Sequence, residues 1–236
     1  MMMAATISRW LRAAADVVLP RSCPVCGQAL GSDEPWLCRR CMSQMPLTQL
    51  HQVPFNAMEQ LFAGKVPIER ATGYFYYEKH SPYARILHDI KYRHVPGMGQ
   101  WLAARAMSEM PAFAQGITAV VPVPLHADKL ARRGYNQSRY IAQGVAEATG
   151  ARVVEAVKAV RSHSTQTHKG ALERWQNIQG VYALAPGIEQ QLAGCHTLLV
   201  DDVVTTGSTL EACARALYAV PGITVSIFTL AVARLE

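Results

Sequence analysis

Thr197-Leu-Leu-Val-Asp201-Asp202-Val-Val-Thr205-Thr206-Gly207-Ser208-Thr209 is the stretch whose reading decides the fold. The apolar run Leu198 to Val200 reads as a buried strand, with two adjacent carboxylates where that strand should end. A short loop of hydroxyl residues and one glycine follows. Leu210, Cys213, Ala214 and Leu217 then recur at helical spacing, so the loop opens a helix. Backbone N–H groups at a helix N-terminus lack intrahelical partners and lie at the positive end of the dipole. Gly207 permits close backbone approach or a positive φ. Thr205, Thr206, Ser208 and Thr209 add hydroxyl donors, so the loop is a socket for a phosphate monoester. Asp201 and Asp202 would repel phosphate, but they suit hydroxyls beside it. The stretch therefore reads as a site for a sugar phosphate.

The order strand, Asp-Asp, two residues, Thr-Thr-Gly-Ser-Thr resembles the signature of the type I phosphoribosyltransferases, whose ligand is phosphoribosyl pyrophosphate (PRPP). The resemblance implies that Asp201 and Asp202 meet the ribose 2- and 3-hydroxyls. It also implies that Thr205, Thr206, Gly207, Ser208 and Thr209 hold the 5-phosphate.

The chain has 236 residues, 50% of them hydrophobic and 17% charged, which suffices for a sizeable core and argues against large-scale disorder. Its formal net charge of +6 favours anionic partners such as nucleotides, pyrophosphate or nucleic acid. No apolar run approaches the roughly 18–20 residues needed to span a membrane. Met1 to Pro20 carries Ile7, Trp10, Leu11, Ala14 and Val18 at helical spacing, with Arg9, Arg12 and Asp16 interleaved. Those charges deny it a secretory signal's apolar run of roughly 7–15 residues. We expect an amphipathic helix that packs on its own protein, with a membrane surface as the alternative. The expected compartment is the reducing cytoplasm.

Cys23-Pro-Val-Cys26-Gly27 and Cys38-Arg-Arg-Cys41 present four thiolates with eleven residues between Cys26 and Cys38. Four thiolates are the ligand set of a closed, structural zinc site. The loop is slightly shorter than the common spacing, and a redox dithiol or free thiols are the alternatives. His51 is a spare candidate ligand. Cys195 and Cys213 read as inert packing residues.

Between these ends, Ala71 to Glu78 reads as a strand, Tyr83 to Lys91 and Gln100 to Met110 as helices, and residues 51–69 as a connector with a short helix near Ala57 to Phe62. Ile117 to Val123 reads as an apolar strand leaving through Val121-Pro122-Val123-Pro124-Leu125-His126. Lys129, Arg132 and Arg133 crowd positive charge just beyond it, where open α/β sheets place ligands. Asn136 reads as the N-cap of a helix ended by Gly150. Val153 to Val160, Val181 to Leu184 and Val225 to Ala231 read as further strands. The polar, basic stretch 161–177 reads as a hood over an anionic substrate.

Taken with the cysteine pairs, these stretches resemble the ComF family. The shared residues include Lys91-Tyr92, the run from Val121 to His126 leading into Arg132-Arg133-Gly134-Tyr135-Asn136-Gln137, and Thr165-Gln166 with Arg174 and Asn177. Lys169 and Trp175 depart from the pattern, which bears on the detail of the hood. The family implies an α/β type I phosphoribosyltransferase fold, a central parallel sheet flanked by helices, behind a four-Cys zinc module. The expected division is 1–20 helix, 21–50 zinc-binding module, 51–69 connector and 70–236 PRPP-binding domain. The implied pyrophosphate loop comprises Leu125, His126, Lys129, Arg132 and Arg133. The implied hood residues are Thr165, Gln166, Arg174 and Asn177, and the metal ligands Cys23, Cys26, Cys38 and Cys41. Structural Zn2+ and PRPP-borne Mg2+ are the implied cofactors. Family members are linked to uptake or use of external DNA, which makes single-stranded DNA and the uptake machinery candidate partners, and GntX-type members carry a label in gluconate metabolism. Pentosyl transfer is the implied reaction. The residues do not name its acceptor, and a homo-oligomer stays open.

Overall fold

The computed structural model describes residues 21–160 and 181–234. The expected N-terminal helix, and the hood residues Thr165, Gln166, Arg174 and Asn177 with Lys169 and Trp175, lie outside those residues.

Five strands form a parallel sheet: β1 (Ala71–Tyr77), β2 (Ala119–Pro122), β3 (Arg152–Val153), β6 (His196–Val204) and β7 (Thr224–Ala233), in the order β1-β7-β6-β2-β3. Two further strands, β4 (Val157–Ala159) and β5 (Tyr182–Leu184), pair antiparallel outside it. The described helices are α1 (Arg39–Ser43), α2 (Ala57–Gln60), α3 (Ala84–Tyr92), α4 (Pro96–Glu109), α5 (Pro111–Ala114), α6 (Ala127–Arg133), α7 (Gln137–Thr149), α8 (Glu189–Leu192) and α9 (Ser208–Leu217).

The sheet is covered on both faces, which is why β6 reads as an unbroken apolar run rather than an alternating one. Leu198 and Val200 join one core with Ile86, Leu102 and Ile141 from α3, α4 and α7. Leu199 joins the other with Phe62, Leu210 and Leu217. Gly144 lets α7 lie directly on α4, since a Cβ there would collide with the Gln100 carbonyl. The N-cap Asn136, whose side chain accepts from Ser138 N, and Gly150 at φ 74° bound α7 as expected.

The cysteine-bearing segment belongs to the first core: Leu37, Cys41 and Met45 are buried with Ile86 and Leu87, and the Tyr83 hydroxyl donates to the Cys41 carbonyl at 2.8 Å. Residues 51–69 are likewise part of the body. Asn56 caps α2 in a capping box with Glu59, and its amide also donates to the carbonyls of Leu50, Val53 and Ala71. Met58 and Phe62 are fully buried.

Several boundaries differ from expectation. β6 does not stop at Val200 but continues through Val204, because β7 keeps pairing with it as far as Val204–Val232. Only its other neighbour, β2, ends there, with Pro122 opposite Val200. Residues 153–160 are not one strand. Ala156 N donates to Val154 O, the chain turns, and β4 leaves the sheet to pair with β5. Helix α4 begins at Pro96, four residues earlier than expected, where the proline occupies the first turn. Cys213 is buried as expected, but Cys195 is only partly covered, with Arg152 donating to its sulfur at 3.2 Å.

Candidate functional site

Beyond Val200 the β2 side of β6 is open, and the two carboxylates fall on this overhang. Successive side chains of a strand point to opposite faces, so the acids diverge. Asp201 accepts from Ser138 Oγ and from the Asp202 amide, both at 2.8 Å. Asp202, 3% exposed, forms an ion pair with Lys91 of α3: Nζ lies 2.8 Å from Oδ2, without the alignment of a hydrogen bond. Burial of the Asp201 carboxyl, and then the neighbouring Asp202 charge, push its pKa up to about 7 against the pull of Ser138, the Asp202 amide and Lys91.

The loop after β6 leads into α9. Gly207 is its N-cap at φ 78°, and no side chain caps the first turn. The first N–H groups of the helix therefore have no intrahelical or side-chain partner. Thr205, Thr206 and Thr209 are exposed, and Thr206 Oγ1 lies 3.0 Å from Ser208 Oγ. Together they line a small recess of about 60 Å3 with Asp201. Tyr182 of β5 lines the space next to Thr209, and burial followed by the Cys213 and Asp201 charges raises the pKa of its phenol. No sequence signal marked Tyr182 or Ser138 as site residues, because each reaches the motif from a distant part of the chain.

A cavity of about 480 Å3 opens beside the recess, lined by Leu125, His126, Lys129, Arg132, Arg133 and Lys91 together with Asp201, Asp202 and Tyr182. The two spaces share Asp201, Val203 and Thr209. The expected pyrophosphate loop is mostly a helix: α6 is capped by the His126 side chain, which accepts from Asp128 N, and it buries none of its residues. Arg133 already has partners: it donates to Gln137 Oε1 at 2.9 Å, and its guanidinium sits 5.1 Å from the Tyr92 ring centroid.

On the far side of the first core the sulfurs of Cys23, Cys26, Cys38 and Cys41 all lie within 4.8 Å of one another. Cys26 and Cys38 are 3.7 Å apart. A tetrahedral zinc with Zn–S bonds of about 2.3 Å separates its sulfurs by about 3.8 Å, so this donor set fits that ion. Gly27 at φ 76° turns the first knuckle, and Gly27 N donates to Cys23 O at 2.8 Å. Burial raises the Cys23 thiol, but the amides of Cys38, Cys26 and Val25 outweigh it and bring it to about 7. His51 is not in the cluster.

A parallel sheet with Asp-Asp and an uncapped Thr-Thr-Gly-Ser-Thr turn at one strand's end, facing a cationic helix at another's, is the α/β arrangement expected from the resemblance to type I phosphoribosyltransferases, here with a four-cysteine cluster in the same body. The chain belongs to the ComF family, with the DNA utilization protein YhgH and competence protein F. It is 30% identical to YhgH of Salmonella typhi over 210 residues, covering 88% of this chain and 82% of that protein. Identity is 28% over 202 residues with YhgH of Escherichia coli K12, covering 83% of each. Competence protein F of Haemophilus influenzae is 35% identical over 100 residues, 42% of this chain and 43% of that protein. No protein-family model matches the chain. Among solved structures, the allosteric regulatory enzyme of purine biosynthesis aligns with a TM-score of 0.39 at 20% identity, over 56% of this chain and 26% of that one. Glutamine PRPP amidotransferase from B. subtilis aligns with a TM-score of 0.35, over 56% and 25%. The chain thus spans about a quarter of the length of those two proteins.

No helix among the described residues is long and apolar enough to cross a membrane.

Proposed function

We propose that the cleft binds PRPP and that the protein transfers, or holds for transfer, its phosphoribosyl group. The observation that carries this reading is the union of the two spaces: one carboxylate, Asp201, borders both the uncapped helix terminus and the cationic cavity. Thr205, Thr206, Gly207, Ser208 and Thr209 take the 5-phosphate at the start of α9, giving binding energy remote from the reacting carbon. Asp201 and Asp202 take the ribose hydroxyls and stabilise positive charge on the ring as the bond to pyrophosphate breaks. Lys129 and Arg132 of α6, with Leu125 and His126 at its entry, receive the diphosphate, and Arg133 backs them. Mg2+ carried by the diphosphate would supply further charge neutralisation there, beside Lys129 and Arg132. Zn2+ on the four cysteines serves the fold rather than the chemistry. The relatives are named for DNA utilisation and competence, which supports assigning the activity to that setting, and we assign it to the cytoplasm.

Calorimetry with PRPP and Mg2+, comparing wild type with Asp201→Asn/Asp202→Asn, tests the reading. Loss of at least tenfold in affinity is expected, and equal affinity would refute the role of the acids.

A second reading, single-stranded DNA binding, has one supporting observation. Tyr92 is 59% exposed beside Arg133 and His88, a surface on which a base can stack. Tyr135 does not extend that surface freely, since its hydroxyl donates to the Ile90 carbonyl. Fluorescence titration with an oligonucleotide at two salt concentrations decides it: binding that falls steeply with salt supports the reading, and no binding at low salt removes it.

A further inference from the structure

The Lys91–Asp202 ion pair joins the strand-loop-helix motif to a residue of α3, an element that contributes to the cleft from outside both that motif and α6. Lys91 stands in the last turn of α3, with its side chain 21% exposed and that of Asp202 5% exposed. It lines the same cavity as Lys129 and Arg132. Among the described residues, Asp202 is the acid it meets.

The turn that carries Lys91 is clamped from one direction. The Tyr135 hydroxyl donates to the Ile90 carbonyl on one side of Lys91. Arg133 packs on the ring of Tyr92 on the other. His94 then takes φ 55°, left-handed for a residue with a side chain, and its ring lies 5.7 Å from that of Tyr135. Arg133 is the last residue of α6, and Tyr135 lies in the short segment that joins it to α7. Lys91 is therefore held in register with the cationic helix, although it comes from a part of the chain about forty residues away.

Backbone left-handedness and stacking fix the α-carbon, while the ammonium stays at the end of a flexible stem with three donors. It can turn from a carboxylate to a phosphate without moving the main chain. A ligand that brings hydroxyls to Asp202 and a diphosphate to the cavity supplies both halves of such an exchange: the acid receives new donors and the ammonium new acceptors. We propose that Lys91 is a ligand-exchanging cation, which screens Asp202 while the cleft is empty and turns to the ligand's diphosphate as ribose hydroxyls replace it on Asp202. The proposal rests on the PRPP reading of the cleft.

The test is calorimetry in Mg2+ with three probes, PRPP, inorganic pyrophosphate and ribose 5-phosphate, on wild type, Lys91→Met and Lys91→Arg. Lys91→Met should bind PRPP and pyrophosphate at least tenfold more weakly, while ribose 5-phosphate changes less than threefold. Lys91→Arg should recover most of the pyrophosphate affinity. Equal weakening toward all three probes would mean a structural counter-ion and would overturn the proposal, as would unchanged pyrophosphate binding. Should Lys91→Met not fold, Lys91→Met/Asp202→Asn removes both charges and must still lose pyrophosphate relative to Asp202→Asn alone. Wild type that fails to bind PRPP overturns the cleft reading and this proposal together, whereas wild type that binds while Lys91→Met is unaltered overturns the proposal alone.

Discussion

The ring of Phe62 lies directly under Gly207: a Cβ on that glycine would stand 3.2 Å from Phe62 Cε1 and 3.3 Å from Cζ. A residue from the segment between the cysteine module and the sheet thus floors the loop that opens α9. Gly207 also holds φ 78°, which costs a side-chain-bearing residue roughly 1–2 kcal/mol. Gly207→Ala should therefore lower the melting temperature and weaken PRPP binding at least tenfold, since the loop must move to relieve both conflicts. Adding Phe62→Leu to Gly207→Ala removes the ring contact but not the φ penalty. A double-mutant cycle on binding should show partial recovery. Strictly additive losses would mean that the ring does not position the loop.

The four-cysteine site shares a core with α3 and α4, so its metal should stabilise the whole protein rather than a detachable module. Elemental analysis should find one zinc per chain. Chelation, or Cys38→Ser, should lower the melting temperature by several degrees in a single transition. Zinc absent from the purified protein, or a chelator without effect on unfolding, would count against the site.

Much of this arrangement was legible in local pattern. The apolar runs of β6 and β7, the cap at Asn136 and the stop at Gly150 are set by neighbours in sequence. What escaped was set by distant partners. The extension of β6 past Val200 depends on β7, and the burial of Asn56, Met58 and Phe62 depends on a sheet that lies elsewhere in the chain. Helix α6 carries no apolar stripe because it buries nothing, so only its cap at His126 marks it. The carboxylates were visible as a pair, but their divergence follows from their lying within the strand. Their partners Ser138 and Lys91 sit 63 and 111 residues away, beyond the reach of spacing arguments.

The cations of α6 should matter in proportion to the diphosphate and not to the sugar. Lys129→Ala and Arg132→Ala each remove a charged donor, worth roughly 1.5–3 kcal/mol where it meets phosphate. Each should weaken PRPP and pyrophosphate about tenfold or more, leave ribose 5-phosphate within threefold, and leave the melting temperature unchanged because α6 is exposed. Equal loss toward ribose 5-phosphate would place the diphosphate elsewhere.

Asp201 gives the ligand-free protein a signature in pH. Its folded pKa of about 7 lies above the value of about 3.9 expected when unfolded. Below pH 4 both states hold the proton, and the contribution to stability is fully present. Between about 4 and 7 the unfolded chain has released a proton that the folded one keeps, so stability falls as pH rises through that window. Asp201→Asn cannot titrate. Its melting temperature relative to wild type should therefore climb from pH 4 to pH 7.5 and then level off. Ligand binding should run the other way in wild type: if ribose hydroxyls donate to an ionised Asp201, PRPP affinity should rise with pH toward about 7. A stability difference between Asp201→Asn and wild type that is flat across this range would show that the carboxyl is not held in its neutral form by the fold.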